Sequence, residues 1–354
     1  MHNNYAFLES RESGFSAFNT LKRIFKPMHL LRQYFWIRAE KNSKINDWIR
    51  NISPNAIFLY CGNSSFVYDF AIFVSDQLNI PIFPFFSDDY AFSPKNNIFT
   101  EIQKKIIQKR YIRVLDRAPF AFCIGIEMCK FYATKFNKDF YPIMNSVDVP
   151  DKVSLLDKIQ EAKVINFNFI GGLTVGREYS VLQFAKCLNS VKSRKKVALN
   201  VYTTTHLSKK MRALYLKNGI QLHPPVFGSD YERVRNQADI LLHIESAKRE
   251  FYSLAMYSIS TKIPEYLVSG KLVVCYGPAC IASFKLIKDN NIGVTIDNLG
   301  SQLEQIETIN NFLMNIDSLH DLPIRSLEYA KNHFDKKRNA EMFYNKISKC
   351  LNNE

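Results

Sequence analysis

The chain has 354 residues, of which 47% are hydrophobic and 23% charged, with 12 glycines and 13 prolines; this suits about two globular domains and excludes disordered, collagen-like and low-complexity sequence. Lys and Arg number 47 against 33 Asp and Glu, a net charge of +14, and such a surplus calls for an anionic partner: nucleic acid, an acidic membrane surface or phosphorylated ligands. The 7 cysteines form no CxxC pair and the 7 histidines are scattered singly, so a reduced cytoplasmic protein without a metal centre is expected.

The first 55 residues show no alternation of strands and helices. Residues 22–50 carry Lys22, Arg23, Lys26, Arg32, Arg38, Lys41, Lys44 and Arg50 against Glu40 and Asp47, with Phe25, Leu31, Phe35 and Trp36 interleaved. This is the pattern of a basic amphipathic helix, broken near Pro27. The polar opening MHNNYAFLESRES is unlike a signal peptide. The best candidate for a membrane span, 55–75, is interrupted by Asn63, Ser64, Ser65 and Asp69, so none is expected.

From residue 55 short apolar runs predict strands at 56–60, 82–86, 120–124 and 140–143. Between them, apolar spacings of three and four predict helices at 66–78, 100–117 and 128–136. Pro81 and Pro84 count against the second strand, because proline cannot donate to a sheet ladder. A second series follows, with strands at 164–170, 197–202, 220–223, 240–244, 272–276 and 293–296 and a helix at 178–193. Alternating strands and helices mean an α/β fold with parallel sheets. Two series suggest two Rossmann-like domains: 1–150, including the basic segment 1–55, and 164–320. A linker over 151–163, in a polar stretch that contains Pro150, joins them, and two closing helices fill 321–354.

The segment 258–278, SISTKIPEYLVSGKLVVCYGP, is the most informative. Ser260 and Thr261 are helix-start residues, Pro264 suits a first turn and Gly270 a helix end. A helix N-terminus that follows a strand and loop can bind phosphate. Glu265, one turn in, could accept hydrogen bonds from a ribose diol or could simply complement the helix dipole.

The same segment resembles the nucleotide-sugar site of GT-B glycosyltransferases of the family 4 type, as used in surface and capsular polysaccharide synthesis. Lys262, Ile263, Glu265, Tyr266, Leu267, Ser269, Gly270, Lys271, Leu272 and Val273 carry the likeness. IGGLTVGRE at 170–178 resembles the family's glycine turn with its arginine, and YERVRNQADILLHIES at 231–246 the helix and strand before the donor loop. The likeness spans roughly residues 55–350.

It implies a GT-B fold whose two domains face each other across a cleft. Glu265 would hold the ribose hydroxyls, and Arg177 and Lys262 would neutralise the diphosphate. Gly171 and Gly172 would let the backbone approach the donor. Ser260 and Thr261 would sit at the phosphate-facing helix start. Arginine suits the role because its guanidinium presents a fork to phosphate oxygens. The family has two glutamates eight positions apart, but Tyr257 stands where the first would be. It also begins with a strand and glycine-rich loop, absent before residue 55, so the expectation is either a shortened N-terminal domain or a start that lies upstream.

Three acidic residues follow strands of the first series. Asp88 or Asp89 could orient an acceptor hydroxyl or act as a base, or could form a turn and helix cap. Glu127 could reach the cleft, or only favour a helix N-terminus. Asp88 and Asp89 lack the spacer of a DxD metal motif, so no metal or other cofactor is expected. Residues 104–117 hold six Lys/Arg, either a solvated helix face or a surface towards a lipid-diphosphate-linked or glycan acceptor on an anionic membrane.

The expected function is thus a retaining glycosyltransferase with a nucleotide-sugar donor, peripheral on the inner face of the cell membrane. A catalytically inactive GT-B-like subunit of a polysaccharide assembly complex is the alternative. A nucleic-acid-binding protein fits less well, because no zinc-finger spacing or RNP-like aromatic motif is present.

Overall fold

A computed structural model describes residues 43–93, 98–150 and 163–352. Most of the basic segment 22–50 and nearly all of the expected linker lie outside these residues. Among them, helix α1 (Ser43–Ile52) precedes a parallel sheet of β1 (Ile57–Tyr60), β2 (Ile82–Phe86), β3 (Ala121–Cys123) and β4 (Phe140–Pro142), in that order. Helices α2 (Ser65–Leu78), α3 (Ile98–Leu115) and α4 (Ile126–Phe136) connect the strands. Pro84 does sit inside β2. The Phe85 carbonyl accepts from Cys61 after β1, so Pro84 faces β3, and the β2–β3 pairing begins only at Phe85 and Phe122. The missing N–H therefore falls where no ladder bond is needed.

The second sheet is also parallel, with order β10-β9-β8-β5-β6-β7. Its strands are β5 (Val164–Ile170), β6 (Lys196–Tyr202), β7 (Ile220–His223), β8 (Ile240–Ile244), β9 (Leu272–Gly277) and β10 (Val294–Asp297). They alternate with α5 (Arg177–Asn189), α6 (Lys209–Lys217), α7 (Gly228–Gln237), α8 (Arg249–Tyr252), α9 (Lys262–Leu267), α10 (Ala282–Asp289) and α11 (Gln302–Met314). The order reverses between β5 and β8, and that switch point opens a crevice at the carboxyl ends of the two strands. The asparagines that alternate with apolar residues in β5 are paired within the fold. Asn168 donates to the Val234 carbonyl (3.0 Å) and accepts from Asn200 (3.0 Å), while Asn166 donates to Asp239.

After α12 (Asp321–His333) the chain returns to the first sheet. Val147 and the segment around Phe334 exchange backbone hydrogen bonds of 2.8 and 3.2 Å, and Phe334 is fully buried. Helix α13 (Lys336–Leu351) then sets Phe343 against Phe58 and Phe122, with ring centroids 5.2 Å from each. The closing helix thereby ties the two domains together.

The basic helix α3 is not simply a solvated face. Arg110 bonds Asp69 at 2.8 Å and Arg117 bonds Asp76 at 2.9 Å, both on α2, and Lys104 pairs with Glu101 at 2.6 Å. Arg110, and Arg117 just past the helix end, thus join α3 to α2. All seven cysteines are free thiols. No helix among the described residues is long and apolar enough to cross a membrane.

Candidate functional site

The loop after β5 shapes the crevice. Gly171 has φ +155°, outside the range of most side chains, and its N–H donates to the Tyr202 carbonyl at 2.8 Å. A Cβ on Gly171 would stand 1.6 Å from Lys262 Nζ. The glycine therefore makes the space that the Lys262 ammonium fills. At the other end of the loop Gly176, at φ +80°, starts α5, and a Cβ there would meet Ser246 Oγ at 2.6 Å. Gly172 lies between them near Thr174 and Thr205.

Arg177, the first residue of α5, turns onto Glu245 at the end of β8. Its Nε and Nη2 donate to the Glu245 carboxylate at 3.1, 3.0 and 2.9 Å. Glu245 is buried, and its main chain is fixed by Tyr276 and by Asn298 Nδ2 (2.9 Å). His243 Nε2 lies 3.5 Å from Glu245 Oε1, without the alignment of a hydrogen bond. Burial pushes this imidazole down to about 4, Arg177 and Lys262 push the same way, and Glu245 opposes them. It is therefore neutral near pH 7.

Lys262 opens α9. Burial first, and then Arg177, bring its ammonium down to about 8 against the opposing pull of Glu245 and Glu265. Its Nζ also lies 5.6 Å from the centre of the Phe169 ring, a cation–π distance. Glu265, within α9, accepts a hydrogen bond from the Tyr231 hydroxyl of α7. Burial, then Tyr266 and Glu265, hold that phenol well above its ordinary value, so it remains a donor. Thr261 takes the N-cap place of α9 but makes no side-chain capping bond, and Ser260 N donates to Ser283 Oγ at 3.4 Å. The expected helix start is correct in position, but it is not held by its hydroxyls.

The structure thus brings Gly171, Arg177, Lys262 and Glu265 to one crevice. The acidic residues of the first domain lie apart from it. Asp89 is buried and accepts from Phe92 N (2.9 Å) and Tyr132 Oη (3.0 Å), so its carboxylate is occupied in closing its own loop. Asp88 faces the second domain and accepts from Ser258 Oγ at 3.1 Å. Glu127 opens α4 and takes Lys130 and Lys285, each at 3.1 Å. Burial pulls its carboxyl upward, but those two lysines outweigh it and hold it below the usual range. Tyr257 stacks on Phe131 of the first domain, 4.3 Å between centroids.

Three residues escaped the sequence analysis as site members: Tyr231, His243 and Glu245. Only Glu245 carries a signal in the chain, a carboxylate directly after an apolar strand that ends at the switch point.

No protein-family model and no curated protein sequence matches the chain. Solved structures do. HepE of Anabaena, in complex with UDP, superposes with a TM-score of 0.63 at 13% identity, over 86% of this chain and 81% of that one. Sucrose-phosphate synthase of Thermosynechococcus elongatus gives 0.62 at 9% identity, over 88% and 77%. The lipopolysaccharide outer core galactosyltransferase WaaB gives 0.60 at 13% identity, over 90% and 80%. The chain has the GT-B glycosyltransferase fold. In this GT-B chain the first sheet and α1–α4 make one side of the cleft. The crevice of Arg177, Lys262 and Glu265 belongs to the other.

Proposed function

We propose that the protein is a glycosyltransferase that takes a nucleotide-sugar donor in the crevice of the second domain. The observation that carries this is Lys262 Nζ seated over the side-chain-free Gly171, within electrostatic reach of Arg177, with Glu265 one turn beyond Lys262. A diphosphate fits two cations where the backbone leaves room, and a carboxylate beside it fits a ribose diol. HepE, which shares the fold, has been solved with UDP and with UDP-glucose. The family 4 likeness of 262–273 supports retention of configuration and a role in surface polysaccharide synthesis.

In this mechanism the sugar's bond to the diphosphate breaks and its electron pair leaves with the nucleoside diphosphate, while the acceptor oxygen bonds the anomeric carbon and gives its proton to the departing diphosphate. Arg177 and Lys262 stabilise that departing charge, and Glu245 fixes the direction of Arg177. These cations take the part a metal ion plays elsewhere, so activity is expected to survive a chelator. The acceptor, a glycan or lipid-diphosphate-linked sugar, comes from the first domain, where Asp88 meets it. The basic segment 22–50 attaches the protein to an anionic membrane, from which high salt releases it. Tyr257 at the place of the family's first glutamate favours a second reading, a donor-binding subunit without transfer.

The test is calorimetric titration with a panel of nucleoside diphosphates, followed by assay of nucleotide release from the matching nucleotide-sugars. Binding with acceptor-dependent release supports transfer, and binding without any release supports the second reading. A folded protein that binds no nucleoside diphosphate refutes both.

A further inference from the structure

Away from the donor crevice, the carboxyl ends of β1 and β2 hold a row of rings and hydroxyls that the proposed donor chemistry does not use. β1 is the edge strand of the first sheet, and alternate residues face alternate sides. Leu59 points to the core. Phe58 and Tyr60 point the other way and are 52% and 54% exposed. Phe85 of β2 lies between them, with ring centroids 6.2 Å from Phe58 and 5.9 Å from Tyr60. Phe343 of α13 packs on Phe58, so Tyr60 is the ring left open to solvent at the end of this strand.

The polar side of this row is equally specific. Tyr60 Oη is 2.6 Å from Ser87 Oγ, and Ser87 Oγ donates to Asp88 Oδ2 at 3.1 Å. Tyr90 Oη donates to the same oxygen at 3.2 Å, and Ser258 of the second domain to Oδ1 at 3.1 Å. Among the described residues these partners of the Asp88 carboxylate are all hydroxyls and none is a cation. A carboxylate offers about four lone-pair sites, so it can accept from one more hydroxyl. Ser258 precedes Lys262 by four residues, which sets the row beside the segment that leads into the donor crevice.

We propose that Tyr60 and Asp88 form an acceptor subsite for a neutral pyranose ring. The apolar C–H face of the sugar lies on the Tyr60 ring, and one of its hydroxyls donates to Asp88. An aromatic platform with a carboxylate at its rim matches a sugar, which is apolar on its faces and polar at its edge. The lack of a cation in the row selects against a phosphate at this position. The inference rests on the transferase reading and names the substrate class of its acceptor side.

The probes are methyl glycosides of glucose, galactose, mannose and N-acetylglucosamine, followed by saturation-transfer NMR with and without UDP. At least one should receive saturation at its ring C–H protons. Tyr60→Ala should weaken that glycoside roughly three- to tenfold, while Tyr60→Phe retains it, because only the ring is needed. Asp88→Asn should weaken it about tenfold or more. UDP affinity, measured by calorimetry, should be unchanged in the Tyr60 variants. Glycosides that contact no variant, or bind Tyr60→Ala as well as the parent, overturn the subsite. So does self-association lost in Tyr60→Ala without any glycoside contact, which assigns the row to a second copy. If no nucleoside diphosphate of the panel binds while glycosides still depend on Tyr60, the donor reading falls and the row remains a sugar site without an acceptor role.

Discussion

Glu265→Gln separates the donor-site reading from a structural one. The carboxylate accepts from Tyr231, and Tyr231 can donate equally well to an amide oxygen. The local fold should therefore persist, with a stability loss of a few tenths of a kcal/mol from the helix dipole. The binding loss is larger. A hydrogen bond to a charged group contributes about 1.5–3 kcal/mol, and the amide leaves one acceptor oxygen, already engaged by Tyr231. At about 1.4 kcal/mol per tenfold, the nucleotide should bind roughly ten- to a hundredfold more weakly. Glu265 also supports the charge of Lys262, so the variant loses part of the diphosphate attraction as well. The assay is calorimetric titration of both proteins with the nucleotide that the parent binds best, with melting temperatures alongside. A variant that melts within a degree or two of the parent and binds nucleotide unchanged would refute the role given to Glu265.

Gly171→Ala should drive Lys262 out of its place, since the new Cβ would fall 1.6 Å from Nζ and 2.8 Å from Cε. Nucleotide affinity should fall about tenfold or more by titration, whereas Gly219→Ala, with open space but φ +73°, should cost about 1–2 kcal/mol of stability and leave affinity alone. Lys262 titrates near 8 in the free protein, so nucleotide affinity should be level below pH 8 and fall above it, by at most about tenfold per pH unit. Titrations between pH 7 and 9.5 check this, and a level profile would place Lys262 away from the ligand. His243 has its folded value depressed to about 4, so the unfolded chain binds the extra proton between about 4 and 6.5. Its contribution to stability is complete above that window and is lost as pH falls through it; His243→Leu should flatten the drop in melting temperature between pH 7 and 5. Phe334→Ala should cost about 3–5 kcal/mol in denaturant titration, because the ring is fully buried where the chain crosses back to the first sheet.

The strands and the domain order were readable because period and composition reflect burial on a parallel sheet. The apolar run 240–244 is β8 throughout, and 164–170 is β5 to the residue. Pro84 misled because the rule against proline is local, while the pairing partner that would need its N–H is set by where β3 begins. Of the site, Arg177, Lys262, Gly171 and Glu265 came from the resemblance of 170–178 and 262–273 to the family's donor segments. Tyr231 and His243 could not be found that way. Their roles depend on α7 and β8 being brought beside α9 and β5, contacts that span 34 and 68 residues of sequence for Tyr231–Glu265 and Arg177–Glu245.

The charge surplus also reads differently once the fold is placed. Arg110 and Arg117 are spent on Asp69 and Asp76, so the basic helix α3 offers less attraction than its composition suggests. In the crevice two cations, Arg177 and Lys262, stand against two carboxylates, Glu245 and Glu265. A diphosphate is therefore not drawn there by net charge. On the proposed donor reading it would be selected because Glu245 holds one guanidinium edge and aims the rest, and because Lys262 is a partly desolvated cation with no carboxylate in salt-bridge contact among the described residues. An anion that arrives there returns to Lys262 the stabilisation that burial removed. Binding at this crevice then depends on geometry first, which is why a single Cβ on Gly171 should matter more than any change of surface charge.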